Sequence, residues 1–222
     1  KIGDLSLDDP PDVTGAGLLS LLAGKAFHLP DAEYTEEEWA DAFDTMLAPT
    51  RFVFSDAFAT KDFDAICSRI RYLVKGLDCG FIFLDNVSVL VAQSHKDERK
   101  EMDRMASTLS QMANELNVAL ILVAHENRQG TVRGSAGFEQ FCNTVIQLHR
   151  DKKAEDEVVR NTTRVCVTEN RFNGETGPAC FLKYDKETTR MVEFDPDEDS
   201  EFKEEDESDP YDNRNLWSDT VD

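Results

Sequence analysis

Two polar side chains follow strongly apolar segments of the chain, where they could act on a bound phosphate. Asp85 follows residues 81–84, and His125 follows residues 118–124. Every residue in both segments is aliphatic or aromatic. Apolar runs of this length are typical of strands in a parallel sheet, buried on both faces. A carboxylate at the end of such a strand suits a Mg²⁺ that keeps several waters and binds nucleotide phosphates. An Asp that only caps a turn explains Asp85 about equally well when that strand is considered alone.

The segment between these two strands predicts a helix. From residue 97 to residue 116 the apolar side chains recur at the three- and four-residue spacing of one helical face. A strand, a helix and a second strand of these lengths form a right-handed parallel crossover. Both strands then end at the same edge of a sheet, which brings Asp85 and His125 into one crevice.

The remaining segments predict an α/β fold. A helix that begins at Thr35 has Glu38 in capping-box spacing, with Trp39, Phe43 and Leu47 on its expected buried face. The other predicted elements are strands at 2–7, 51–54, 144–148, 163–168, 179–184 and 190–194, helices at 13–27, 63–75 and 137–142, and an exposed turn at 151–161.

Charge and cysteine content restrict the class of protein. The net charge is −21, and residues 193–222 alone contain 14 acidic and 2 basic residues. This acidity argues against nonspecific nucleic-acid binding by the whole surface, without excluding a local basic channel. We predict one domain over residues 1–194 and a disordered acidic tail over 195–222. Scattered cysteines favour reduced thiols in the cytoplasm, and neither a signal peptide nor a membrane-spanning run is visible.

A series of short stretches resembles the RecA-like motor of the replicative hexameric helicases of the DnaB type. They are Leu5-Ser6-Leu7-Asp8, Phe81 to Asp85, Asp97 to Lys100, Val123-Ala124-His125, Arg133 to Gly137, Asn170 to Gly177 and Tyr184 to Thr188. Within that family the chain looks like the primase-helicases of T-odd bacteriophages and the related mitochondrial enzyme. The resemblance implies a mostly parallel RecA-like sheet flanked by helices, with antiparallel strands on the C-terminal side and an incomplete N-terminal side.

The resemblance also implies roles for the polar groups at the sheet edge. Asp8 matches the carboxylate that activates the water attacking the γ-phosphate, where the family usually has Glu, and Asp9 is the alternative. Asp85 matches the residue that holds Mg²⁺, and His125 matches the sensor of the γ-phosphate. Without the resemblance, Asp8 would be interpreted as a turn cap and His125 as a hydrogen-bonded residue at a strand end.

Residues of the C-terminal part match groups that complete the nucleotide site. Arg171 matches the arginine finger, which reaches the site of a neighbouring subunit and neutralises transition-state charge. Arg150 and Tyr184 match residues beside the base or ribose, with stacking as the physical reason, although a core tyrosine explains Tyr184 about equally well. The Lys that the family usually has two residues before the finger is Glu169 here, which weakens any transfer of that role.

The loop after His125 matches the DNA-contacting loop of the central channel. Arg133 and Gly134 are the main candidates for contacting single-stranded DNA, and Arg128 is the second candidate. A channel that tracks phosphates with cations and backbone amides needs few charges per chain when a hexameric or heptameric ring contributes them. The resemblance therefore implies self-association into a ring and single-stranded DNA as a partner.

The family's phosphate loop, Gly-x4-Gly-Lys-Ser/Thr, is absent from the printed sequence. Gly24-Lys25 fails this pattern because Leu19 and Ala26 occupy the positions of the earlier Gly and the hydroxyl residue. The chain also begins without Met in a predicted strand. We therefore expect a fragment whose phosphate-loop segment is supplied separately, and which turns over no appreciable ATP alone.

The expected function is an ATP-dependent 5′-to-3′ replicative DNA helicase motor, with Mg²⁺ and ATP or another nucleoside triphosphate as cofactors. One alternative is a RecA-like ATPase without unwinding activity, and another is a noncatalytic docking module of the replisome. In each case the acidic tail, with Tyr211 and Trp217 as anchors, is expected to recruit a replicative DNA polymerase. The expected location is the cytoplasm, that of the host if a phage encodes the protein.

Overall fold

A computed structural model of the chain describes residues 1–60, 62–91, 98–125 and 139–195. These residues divide into two compact units. The first comprises Lys1–Cys142 and Glu187–Thr189, and the second comprises Asn143–Lys186 and the described residues from Arg190 onwards. The single domain predicted over residues 1–194 stays a prediction. In the described part of the chain, no helix combines the length and apolar character that crossing a membrane requires.

Strands and helices alternate in the first unit. Its strands are β1 (Ile2–Ser6), β2 (Phe52–Phe54), β3 (Phe81–Asp85) and β4 (Ala119–Leu122), and its helices are α1 (Pro11–Ala23), α2 (Glu36–Ala42), α3 (Phe63–Leu77), α4 (Ser88–Val91) and α5 (Glu98–Leu116). Shorter π- and 3₁₀-helical turns occupy Phe43–Leu47, Ala48–Thr50 and Glu139–Phe141. The strands form one parallel sheet in the order β2-β1-β3-β4.

Helices α3 and α5 contribute the main core together with one face of this sheet. The core includes Leu5, Ile82 and Leu84 from the sheet, Leu7 just after β1, Ile66, Ile70 and Leu73 from α3, and Met102, Met105, Leu109 and Met112 from α5. Asp62 caps the N-terminus of α3, because its side chain accepts a hydrogen bond from the Asp64 N–H at 2.9 Å. Gly3 allows α3 to approach the sheet closely, because a Cβ there would lie 2.7 Å from Ile82 Cδ1 and 3.1 Å from Leu73 Cδ1.

The prediction that β3 is buried on both faces is wrong. Ile82 and Leu84 are fully buried, whereas Phe81 and Phe83 on the opposite face are 52% and 37% exposed. The apolar run predicted two covered faces, but the main core of the described residues lies on only one of them. Beside β2, a small second core consists of Leu19, Phe27, Ala42 and Leu47, with Leu18, Ala23 and Phe54 packed against it.

Helix α2 begins as the sequence predicts. The Glu38 N–H donates to Thr35 Oγ1 at 3.1 Å, and the Thr35 N–H donates to Glu38 Oε2 at 2.8 Å, which completes the capping box. The expected buried face is only partly correct, because Leu47 is buried while Trp39 and Phe43 are 36% and 37% exposed. A π-helical turn begins at Phe43 and changes the spacing of the apolar residues.

The second unit is an antiparallel sheet. Its strands are β5 (Thr144–His149), β6 (Thr162–Asn170), β7 (Gly177–Asp185) and β8 (Arg190–Phe194), in that order across the sheet. Part of the segment expected to be an exposed turn is instead a short helix, α6 (Glu157–Asn161). Asp156 caps that helix, since its Oδ1 accepts from the N–H groups of Val158 and Val159. A parallel sheet with helices, followed by an antiparallel sheet, confirms the predicted fold class.

Candidate active site

The carboxyl ends of β1, β3 and β4 lie side by side at one edge of the parallel sheet. Just beyond the strands, the Leu7 N–H donates to Asp85 O at 2.5 Å, and the Val87 N–H donates to Val123 O at 2.9 Å. These backbone bonds hold together the three chain segments that carry the predicted edge residues. Open α/β sheets bind their ligands at this end of the strands.

Asn86 links two of the predicted residues. Its side chain is 1% exposed, and its Oδ1 accepts from the Val89 N–H at 3.2 Å. Its Nδ2 donates to Asp8 Oδ2 and lies 3.1 Å from His125 Nε2. Asp8 and His125 are themselves exposed. A buried amide therefore joins two surface groups from different strand ends, and we call these three residues the edge triad.

Sequence reasoning did not single out Asn86 as a functional residue. The available signal was an amide directly after an apolar strand, because a polar side chain buried at such a place needs partners. Ser88 gave a similar signal: it is buried, and its Oγ accepts from the His125 backbone N–H at 3.1 Å. Both residues belong to the chain that follows β3, so this segment fixes the position of His125.

Asp85 lies beside the edge triad and keeps a solvent-exposed carboxyl group. Partial desolvation by the surrounding protein raises the pKa of this carboxyl, and the negative charge of Asp8 raises it further. His125 opposes the shift, while Asp9 adds a smaller contribution in the same direction as Asp8. Water at the exposed surface screens these charges. Two carboxylates that repel one another favour a cation nearby.

The edge is suitable for a hydrated Mg²⁺. This ion commonly binds through one or two carboxylates and keeps several waters. Asp85 offers an exposed carboxylate, and a divalent cation would relieve its repulsion with Asp8. Among the described residues, no group of three or more His, Cys, Asp or Glu side chains is arranged to hold a metal. Asp85 is therefore the residue that could hold Mg²⁺ at this edge.

Asp4 is a second unusual carboxyl in the same sheet. It is half-buried on β1, in register with Phe54 of β2 and Phe83 of β3. The pKa of Asp4 is raised to about 6, mainly because burial removes water from its carboxyl. A hydrogen bond from the Ser6 backbone lowers this pKa, and the negative charge of Asp85 raises it. The folded protein therefore binds a proton on the Asp4 carboxyl more tightly than the unfolded chain does.

Arg171 begins the turn between β6 and β7 in the second unit. Its side chain is exposed, and its backbone N–H donates to Asn143 O at 2.8 Å. Asn170 organises the turn, since its Oδ1 accepts from the Phe172 N–H at 3.2 Å and its Nδ2 donates to Asn173 Oδ1 at 2.6 Å. The turn thus presents Arg171 on the surface of the second unit.

Arg150 and Tyr184 also belong to the second unit. Arg150 Nε donates to Arg160 O at 2.7 Å, and one of its terminal nitrogens, Nη2, donates to Asn161 Oδ1 at 2.9 Å. Tyr184 is 38% exposed on β7, opposite Met191 of β8. The guanidinium of Arg150 is therefore engaged within its own unit, while part of the Tyr184 surface is accessible. The nucleotide-binding roles of both residues stay predictions.

Two groups of predicted residues lie outside the described part of the chain. Arg128, Arg133 and Gly134 fall within residues 126–138, and the acidic tail from residue 196 onwards is also outside it. Their expected contacts with DNA and with a polymerase therefore stay predictions.

The structure supports the rejection of Gly24-Lys25 as a phosphate loop. Gly24 ends α1 with a left-handed φ of 64°. Lys25 Nζ forms an ion pair with Glu38 Oε1 at 2.9 Å. A phosphate loop instead places its Gly-Lys pair before the N-terminus of a helix, where backbone N–H groups can bind the phosphates.

An α/β unit whose parallel strands end in carboxylates and an imidazole fits the class of domains that bind nucleoside triphosphates at a sheet edge. The chain belongs to the family described as the DnaB-like helicase C-terminal domain, which matches residues 25–193. It is also 30% identical over 167 residues to the DNA helicase/primase of Enterobacteria phage T3. That match covers 68% of this chain and 28% of the phage T3 protein, so the chain spans well under half of that relative's length.

Proposed function

We propose that this chain is the motor part of an ATP-dependent 5′-to-3′ replicative DNA helicase that forms a ring on single-stranded DNA. Its family membership makes it a DnaB-type helicase domain. The observation that carries the catalytic part of the proposal is the edge triad next to Asp85. This arrangement would place a base for a water molecule and a polar sensor in one hydrogen-bonded group, with a metal ligand beside it.

Asp8 is the proposed general base. Its contact with Asn86 uses Oδ2, so its other oxygen can accept a proton from the water that attacks the γ-phosphate. Because Asp is one methylene shorter than the Glu usual in the family, the water must approach closely or a second water must intervene. Asp85 would hold Mg²⁺, which when bound supplies neutralising charge at the phosphate oxygens.

The second unit supplies three of the remaining groups, Arg171, Arg150 and Tyr184. Arg171 is proposed to reach the nucleotide held by a neighbouring copy of the chain, because a guanidinium stays charged and its fork matches phosphate oxygens. Its exposed position at a turn supports this role. Tyr184, and Arg150 after release of its present contacts, are proposed to lie beside the base or ribose. Arg133 and Gly134, with Arg128, are proposed to contact the DNA.

Turnover also needs a phosphate loop, and the printed sequence contains none. We define the phosphate-loop chimera as the printed 222 residues preceded by a DnaB-type segment of roughly 30 residues that contains a strand, a phosphate loop and a helix. The polypeptide of the printed 222 residues is expected to show no turnover above background. The chimera is expected to hydrolyse ATP with Mg²⁺, because the loop supplies the amides and lysine that hold the β- and γ-phosphates.

Strand separation tests the proposed function. The chimera, ATP and Mg²⁺ are combined with a forked duplex that carries a 5′ single-stranded arm, and release of the labelled strand is measured. A fork with only a 3′ arm is the matched control and is expected to stay paired. Hydrolysis without release of the strand would favour the RecA-like ATPase over the helicase. Turnover by the printed chain alone would contradict the need for a separate loop.

The acidic tail is proposed to recruit a replicative DNA polymerase. Its charge and its aromatic residues Tyr211 and Trp217 support this role. Removing residues 195–222 is expected to abolish coupled synthesis while ring assembly is retained. If coupling survives, the tail only contributes solubility.

A further inference from the structure

The hydrogen bonds of Asn86 determine which way its amide points. An amide oxygen can only accept hydrogen bonds, and an amide nitrogen can only donate them. The Val89 backbone offers a donor at 3.2 Å, so the atom that faces it must be the oxygen. The Nδ2 group therefore faces Asp8 and His125. This orientation is self-consistent, because an ionised carboxylate only accepts.

The same reasoning determines which nitrogen of His125 carries its proton. The Asn86 amide nitrogen has two protons, one donated to Asp8 and the other directed towards His125 Nε2 at 3.1 Å. If Nε2 carried a proton of its own, a donor would face a donor. Nε2 must therefore accept, and the neutral ring then carries its proton on Nδ1.

We propose that Asn86 is a positioning residue that holds Asp8 and His125 together and fixes the Nδ1–H tautomer of His125. Since Nε2 is occupied by the buried amide, Nδ1–H is the ring group that can donate to a phosphate oxygen. A change in the position of His125 is then transmitted through one side chain to Asp8. The roles given to Asp8 and His125 rest on the proposed function, whereas the tautomer rests only on hydrogen-bond geometry.

The tautomer can be measured directly in the printed chain. With ¹⁵N-labelled histidine, a long-range ¹H–¹⁵N spectrum at about pH 8, where imidazoles are ordinarily neutral, shows which ring nitrogen is protonated. The signals of His125 are assigned by their loss in His125→Gln. The expected result is a neutral ring with its proton on Nδ1. A His125 ring protonated on Nε2 would overturn the proposal.

Two other histidines provide internal references in the same spectrum. His28 Nδ1 lies 2.9 Å from Ser20 Oγ, which donates its own proton to Ala16 O, so His28 should have the Nδ1–H form. His149 Nε2 lies 3.2 Å from Gln147 Oε1, so His149 should have the Nε2–H form. His125 is expected to resemble the first of these references and to differ from the second.

Substitution of Asn86 tests whether the amide is the cause. Asn86→Leu keeps a similar volume and removes the donor, so the His125 signals should move towards the Nε2–H form while His28 and His149 keep theirs. Asn86→Asp retains the oxygen that faces Val89 and serves as the second variant if the Leu variant does not fold. Circular dichroism identifies the folded variants. An unchanged His125 tautomer in a folded variant would overturn the proposal.

Turnover by the phosphate-loop chimera tests the effect on Asp8. Loss of one hydrogen bond to a charged group predicts that Asn86→Leu lowers kcat roughly 10- to 100-fold, with little change in the KM for ATP. An unchanged kcat per folded chain would overturn the positioning role. If the parent chimera shows no turnover, the proposed function fails. The tautomer measurement then still decides whether Asn86 fixes the Nδ1–H form of His125.

Discussion

Asp8 and Asp9 are adjacent carboxylates with different surroundings. Asp8 accepts a hydrogen bond from the buried Asn86 amide, whereas the Asp9 backbone N–H makes a long contact of 3.4 Å to Ser6 Oγ. Only Asp8 is thereby tied to the carboxyl ends of two other strands. This difference favours Asp8 over Asp9 as the base.

Paired substitutions test that assignment. In the phosphate-loop chimera, Asp8→Asn is expected to lower ATP turnover by about 10²- to 10⁴-fold, the range typical of a general base. Asp9→Asn removes one charge from the same loop and should have a much smaller effect. Steady-state ATPase assays measure kcat and KM for both variants. A larger loss in Asp9→Asn would assign the base to Asp9.

Asp4 should make the free energy of unfolding depend on pH. Because its pKa in the folded chain is raised from 3.8 to about 6, the folded state binds the proton more tightly than the unfolded state. The stability linked to Asp4 therefore falls as pH rises through this interval. Asp4→Asn, which is neutral throughout, should raise the free energy of unfolding by about 1–2 kcal/mol at pH 7, a figure reduced for screening by water, and by little at pH 4.

Urea unfolding at the two pH values measures this effect. Asp31→Asn, in an exposed loop, is the matched control for loss of one charge from a strongly acidic chain. If both variants shift stability equally at neutral pH, the general charge of the chain and not the environment of Asp4 is responsible.

At the scale of residues, the sequence predicted the positions of the edge residues better than the hydrogen bonds between them. Strand ends followed by Asp or His were visible as patterns, so Asp85 and His125 could be placed at one sheet edge. Asn86 was not recognised, because its partners come from residues far apart in the chain. The amide after an apolar strand indicates a polar group that needs partners, but the sequence does not show which distant residues those partners are.

At the scale of elements, the turn between β6 and β7 holds the proposed arginine finger. The Gly174 N–H donates to Asn170 O at 2.9 Å, and the Glu175 N–H donates to Asn173 Oδ1 at 3.0 Å. With the two side-chain bonds of Asn170, these contacts define the direction in which Arg171 leaves the strand. The turn is therefore expected to contribute to catalysis by positioning the guanidinium of Arg171.

Disrupting the turn should lower ATP turnover less than removing the Arg171 guanidinium does. In the chimera, Arg171→Ala is expected to lower turnover by about 10³- to 10⁵-fold. Asn170→Ala keeps the guanidinium and misplaces it, with an expected loss of roughly 10- to 100-fold. Glu175 Oε2 accepts a hydrogen bond from Asn173 Nδ2 at 2.8 Å. Glu175→Gln keeps a side-chain oxygen that can accept this bond and is the control. Equal activity of Asn170→Ala and the parent chimera would contradict a positioning role for the turn.

Local signals predicted most helices and strands, and tertiary context explains the differences. The Thr35 and Glu38 pair and the apolar face of α3 are short-range features, and both are present in the structure. The exposed face of β3 differs because burial depends on what packs against a strand, which its own residues do not specify. Helix α6 was missed because it is short and depends on one cap, Asp156.

At the scale of the molecule, the candidate groups are divided between two compact units. Asp8, Asp85 and His125 belong to the first unit, and Arg171 belongs to the second. We propose that Arg171 completes the nucleotide site of a neighbouring copy, so one complete site needs two chains.

Mixing two defective chimeras tests this claim most directly. Asp8→Asn chains keep the finger, and Arg171→Ala chains keep the base. If sites are shared, some neighbouring pairs in a mixed ring combine the intact groups, so ATP turnover should reappear when the two proteins are reassembled together. A mixture that stays as inactive as each variant alone, although native electrophoresis shows mixed rings, would contradict the shared site.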